Sequence, residues 1–164
     1  QVDETTARKL TKELVEALVA LQDQGLDLFN SVNLHTIWLR EIGNISSFVL
    51  DYYCHNDITH NSGRFSFEPS REVPTFCTPE NLTGTISRKD ISWQVGIFLY
   101  RILAGYFPFP PTDDMGSMYQ QIIEMDFDYP EEEWQNISDE AKDLIDNLLL
   151  GPDFRFDLKE VLEH

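Results

Sequence analysis

Residues 90–105, "DISWQVGIFLYRILAG", limit the fold more than any other stretch. They read as a helix that is apolar on nearly every side. A surface helix carries an apolar stripe opposite a polar face, so a helix of this kind belongs in the middle of a domain, wrapped by amphipathic partners. The chain supplies such partners. Ala7, Leu10, Leu14, Leu18 and Leu21 recur every three or four residues and predict a helix over 4–24, stopped by Gly25. Pro108, Pro110 and Pro111 then break the chain, and Thr112 or Asp113 is the expected cap of a helix running through Glu124. Ser138, followed by Asp139 and Glu140, opens the helix "DEAKDLIDNLLL", and Asp157 with Glu160 opens a last one. Residues 34–53 read as short strands joined by a turn at Gly43-Asn44, while Cys54 to Arg71 shows no period and reads as a loop. The expectation is a single, mainly α domain over 1–164, built around one central buried helix with a small β-hairpin region.

Composition narrows what such a domain does. Hydrophobic residues make up 41% of the chain and aromatic residues 12%, enough for a core despite a net charge of −17. A pI near 4.3 argues against contact with nucleic acid or anionic lipid, both of which need a basic face. No apolar run reaches the roughly 18 residues a membrane span requires. Two cysteines are too few for a disulfide scaffold and fit a reducing setting, cytoplasm or nucleus. Cys54, His55 and His60 share a loop at a spacing no structural zinc site uses, so neither a metal nor another cofactor is expected. The opening "QVDETTARKL" reads as a cut edge of something longer. Acid crowds the stretch from Tyr106 to Asp153, where Lys142 is the sole base. Such a field speeds encounter with cations, which makes Asp113, Asp114, Glu131, Glu132 and Glu133 candidates for binding a basic protein partner.

Three motifs, in order and at matching spacing, carry a family resemblance. They are "VPTFCTPE" at 73–80, "WQVGIFLYRILAGYFPF" at 93–109 and "DFDYPEEEWQNISDEAKDLIDNLLLGPDFRFDLKEVLEH" at 126–164. Together they resemble the C-terminal lobe of a eukaryotic serine/threonine protein kinase of the calcium/calmodulin-dependent and checkpoint-kinase group. In that family the first motif ends the activation segment, with Ala-Pro-Glu where this chain has Thr78-Pro79-Glu80. The resemblance implies that Glu80 pairs with Arg155 and pins that segment to the helices. It also implies an N-terminal lobe that these residues do not supply, and so an uncovered face near Ile37 and Trp38 that a partner, or the rest of the same chain, would cover.

The resemblance also marks departures. Aligning Gly25 with the family's glycine before His-Arg-Asp puts Leu28, Phe29 and Asn30 at that triplet, Val32 at the phosphate-supporting lysine and His35 at the metal-binding asparagine. Asparagine cannot act as a base, valine carries no charge, and a lone imidazole is a poor magnesium ligand. Asp51 is the only acid near the position of the second metal ligand. Counting back five from Gly96 puts Ile91 at the family's central-helix aspartate, whose partner position is Leu28, so a polar contact reads as exchanged for packing; the alternative is a one-residue register shift that lets Asp90 keep the role. The expectation is a kinase-like module that is not an enzyme, a pseudokinase working as an interaction scaffold or regulatory domain. The alternative is a divergent ATP-dependent phosphotransferase whose N-terminal lobe lies outside this chain, with Asp51 as metal ligand and His35 as an accessory.

Overall fold

The computed structural model describes residues 1–26, 32, 37–41, 44–50 and 73–164. Helix α1 spans Glu4–Asp23; Asp3 caps it by accepting the Thr6 N–H at 3.0 Å. It ends at Gln24, and Gly25 follows at φ 79°, a left-handed conformation that costs glycine no steric penalty. Strands β1 (Ile37–Glu41) and β2 (Asn44–Leu50) form an antiparallel pair, with Ile37 opposite Leu50 and a register shift between Leu39 and Glu41.

A 3-10 turn at Val73–Phe76 leads into the single-turn helix α2, Pro79–Leu82. Thr78 caps α2 by accepting the Asn81 N–H at 3.0 Å, and Pro79 occupies the first helical position, where a missing N–H costs nothing. Helix α3, Asp90–Ala104, is the central one: every residue in it except Arg101 and Ile102 is buried. It divides the interior. Trp93, Ile97 and Tyr100 face a cluster with Phe109, Met118, Ile122, Trp134 and Ile145, where Trp93 stacks on Phe109 at 5.7 Å between centroids. Ile91, Val95 and Phe98 face a second cluster with Leu14, Leu18, Leu148, Leu158 and Val161.

The remaining helices wrap α3. They are α4 (Met115–Glu124), α5 (Glu131–Trp134), α6 (Asp139–Leu148) and α7 (Leu158–Glu163). The cap of α4 is Asp114, one or two residues later than the sequence suggests; its carboxylate accepts the Gly116 N–H at 3.1 Å. Ser138 caps α6 and also binds Glu4, its N–H at 2.8 Å and its hydroxyl at 2.6 Å, so the starts of α1 and α6 are tied together. Those bonds hold the Glu4 carboxyl below its ordinary range. Asp157 and Glu160 form a reciprocal capping box at α7. Among the described residues no helix is long and apolar enough to cross a membrane.

Candidate functional site

The segment 73–80 is fastened at its end by one arginine. Arg155 is wholly buried, as is most of Glu80. Its guanidinium grips the Glu80 carboxylate with two prongs, Nη1 to Oε1 at 2.5 Å and Nη2 to Oε2 at 3.0 Å. Two more donors are used as well: Nε donates to the Leu150 carbonyl at 2.9 Å and Nη1 to the Lys89 carbonyl at 3.1 Å. The guanidinium also lies 5.0 Å from the centroid of Trp93, which adds a cation–π contact. Lys89 returns the bond, its ammonium donating to the Arg155 carbonyl at 2.5 Å. Residues 75 positions apart in sequence thus form one charge-assisted joint between α2, the start of α3 and the loop before α7.

A second carboxylate stands beside it. Asp90, 1% exposed, has Oδ1 at 4.0 Å from Arg155 Nη1 and accepts from Asn81 Nδ2 at 2.8 Å, the Ser87 N–H at 3.3 Å and the Thr78 hydroxyl at 3.5 Å. Two acids share one guanidinium, and they split accordingly. Burial pushes the Asp90 carboxyl up to about 6, with the charge of Glu80 pushing the same way against the bond from Asn81. Burial would also raise Glu80, but the bond and charge of Arg155 more than offset it and hold that carboxyl below its usual range. Burial, then the charge of Asp90, drives the nearby Cys77 thiol up to about 11, which keeps it from acting as a nucleophilic thiolate near neutral pH.

On the other side of α3, the chain between α1 and β1 is tethered at Val32. Its side chain is fully buried in the cluster of Leu14, Leu18, Ile91 and Val95, and its N–H donates to Gln94 Oε1 at 3.1 Å. Val32 therefore points into the helical core. Ile91 packs in the same cluster, as an aliphatic residue should, yet a polar tether persists through Gln94. Leu28, Phe29, Asn30, His35 and Asp51 lie outside the described residues, as does the side chain of Trp38. Ile37 is half-buried against the Leu14 cluster. Among the described residues no group of three His, Cys, Asp or Glu side chains converges to hold a metal.

Asp113, Glu131 and Glu132 are exposed and Glu133 is half-buried; Asp114 is exposed but engaged as the cap of α4. Sequence reading missed Gln94 and Lys89 as structural partners and reached Asp90 only as a register alternative at the central-helix aspartate. A detectable signal existed for Gln94, a polar residue in a mostly apolar buried helix, because a buried polar group is nearly always bonded to something.

A protein kinase domain model matches residues 1–164. The chain is 28% identical over 196 residues to MAP kinase-interacting serine/threonine-protein kinase mnk-1 of Caenorhabditis elegans, covering 98% of this chain and 27% of that protein. It is 40% identical over 96 residues to serine/threonine-protein kinase DCLK1 of Rattus norvegicus, covering 56% of this chain and 22% of that one. A probable myosin light chain kinase of Dictyostelium discoideum is 34% identical over 106 residues, with 60% and 27% covered. The chain thus spans about a quarter of the length of these relatives. They correct one expectation. The reading that the chain is not an enzyme, because the base, lysine and metal-ligand positions are replaced, is overturned by relatives that are named serine/threonine kinases. Its weakness is the fixed count from Gly25. The mnk-1 alignment runs over 196 residues against the 164 of this chain, so gaps interrupt it, and loops are where insertions accumulate. Val32, the one residue of that count the structure describes, faces the core.

Proposed function

Because the chain belongs to the protein kinase domain family, we propose that it is the helical half of a serine/threonine phosphotransferase, the half that carries the protein being modified. The observation behind this reading is the buried two-pronged joint of Arg155 with Glu80, which holds the end of segment 73–80 against α3. Phosphoryl transfer asks little covalent chemistry of a protein and a great deal of positioning, so a surface that receives a polypeptide has to keep its place while ligands exchange. A fastening inside the core does this better than an exposed one, because solvent and salt do not screen it.

Asp51, which follows β2 directly in the chain, is the carboxylate this reading assigns to the nucleotide side, with His35 as an accessory. The expected result is a ligand-dependent rise in melting temperature of the full-length protein with ATP and Mg²⁺ that disappears in Asp51→Ala, since a ligand stabilises only the state it binds. No shift at millimolar nucleotide, or an equal shift in the variant, would count against the assignment.

The exposed acidic residues set the acceptor's chemistry. Asp113, Glu131 and Glu132 are exposed, and the chain's net charge is −17, so the proposed partner is a basic polypeptide, from another protein or from the rest of the same chain. Ile37 and Trp38 mark the second proposed contact, toward the remainder of the protein. Reversing Asp113, Glu131 and Glu132 to lysine should raise KM for a basic peptide by roughly tenfold, most strongly at low salt, with kcat unchanged. A KM indifferent to both the reversal and the salt would remove this face from the proposal. Asp114 is left out of that variant because its loss would also uncap α4.

A further inference from the structure

We propose that the cavity between α1, α3, α6 and α7 binds an amphipathic carboxylate, an alkyl chain that ends in one free carboxyl group. The cavity holds about 320 Å³. Voids larger than a water molecule are few in a protein interior, and small-molecule sites begin at roughly 300 Å³. More than half of the lining residues are apolar: Leu99 and Leu103 come from α3, Leu144 from α6, and Val161 and Leu162 from α7. Such walls hold water poorly and lack contact partners until an apolar group fills the space. Leu162 is 39% exposed, a leucine at the mouth that a bound chain would cover.

The head group is set by α1. Thr11 lines the cavity at 4% exposure, and among the described residues nothing bonds its buried hydroxyl. Buried polar groups in folded proteins nearly always have a partner, so this hydroxyl is a donor that still needs an acceptor. Arg8 and Lys12 line the cavity as well, four residues apart and therefore on one face of α1. Both are exposed, and the pair of Lys12 with Glu16, at 3.9 Å in solvent, contributes little. Two acids share the lining. Glu4 already has one carboxylate oxygen on the Ser138 N–H at 2.8 Å and the other on its hydroxyl at 2.6 Å. Glu140 stands in the first turn of α6, where the positive helix end offsets its charge. Two cations and an unpaired hydroxyl suit a carboxylate, with the alkyl chain running inward over the leucines. The site does not depend on the phosphotransferase reading.

The test titrates octanoate, decanoate and dodecanoate into the purified full-length protein by calorimetry, with decylamine and decanamide as head-group comparisons. One equivalent should bind, about fourfold more tightly for each added methylene until the cavity is full. Decanoate should bind roughly tenfold more tightly than either comparison compound, because charge-assisted bonds are the strong ones. Thr11→Val, which keeps the shape and removes the hydroxyl, should weaken decanoate by roughly tenfold and leave decylamine unchanged. Ala141→Phe fills the cavity from α6 and should abolish binding. If that variant lowers the melting temperature of the free protein, Leu162→Glu, at a position already partly exposed, sets an acid in the mouth and should abolish binding too. No binding at millimolar decanoate, or binding unchanged by these cavity variants, overturns the site. Decylamine or decanamide binding as tightly as decanoate overturns the head-group assignment, and so does wild-type affinity in Thr11→Val. The decanamide arm also separates a free acid from an acyl chain attached through an amide.

Discussion

Replacing Arg155 by methionine is expected to destabilise the fold by about 3–5 kcal/mol, the cost of stripping one partner from a buried ion pair. That is a large share of the roughly 5–15 kcal/mol a domain has in hand. The size follows from what is left behind. Glu80 is 8% exposed and Asp90 1%, so neither carboxylate can recover water when the guanidinium goes. The carbonyls of Leu150 and Lys89 lose a donor as well, and Trp93 loses the cation over its ring. Glu80→Gln should cost less, because an amide can still accept from Arg155. The double variant Glu80→Gln with Arg155→Met should cost clearly less than the sum of the two singles, since the second change removes the charge the first one strands. Urea unfolding of the four proteins measures this. Additive effects would mean that the two side chains contribute independently, contrary to the joint described here.

Gly96→Ala is the second large effect, and its sign is informative. In an isolated helix the change would help by about 1 kcal/mol. Here a Cβ on Gly96 would lie 2.8 Å from Leu148 Cβ and 2.9 Å from Leu149 Cδ2. The leucine tip can rotate away, but the Leu148 Cβ is set by its own backbone, so α6 must back off from α3. Overpacking of this kind costs about 1–3 kcal/mol, and Gly96→Val, with two more methyl groups, should cost more. Thermal unfolding should give a lower midpoint for Ala and a lower one again for Val. A midpoint raised by Ala would mean that the two helices are not in contact at this point.

The large elements could be read from the sequence for reasons that lie within each of them. The period of Ala7, Leu10, Leu14 and Leu18, the largely apolar content of 91–105 and the caps Ser138 and Asp157 are all local signals. The single-turn helices α2 and α5 left no such trace, because four residues cannot nucleate a helix alone and owe their shape to the surroundings. Long-range joints are the other blind spot. Arg155 with Glu80 was reached through a family resemblance, and Gln94 with Val32 was not reached at all, since nothing near either residue specifies its partner. Of the positions counted from Gly25, Val32 alone lies among the described residues, and it is a core residue.

The account as a whole stands on phosphate transfer to a protein hydroxyl, and the most direct measurement is transfer of labelled γ-phosphate from ATP to a basic serine/threonine peptide by the purified full-length protein. The account predicts Mg²⁺-dependent turnover that co-purifies with the polypeptide and is lost in Asp51→Ala. Peptide that stays unlabelled under those conditions, or labelling that persists undiminished in the variant, would contradict it.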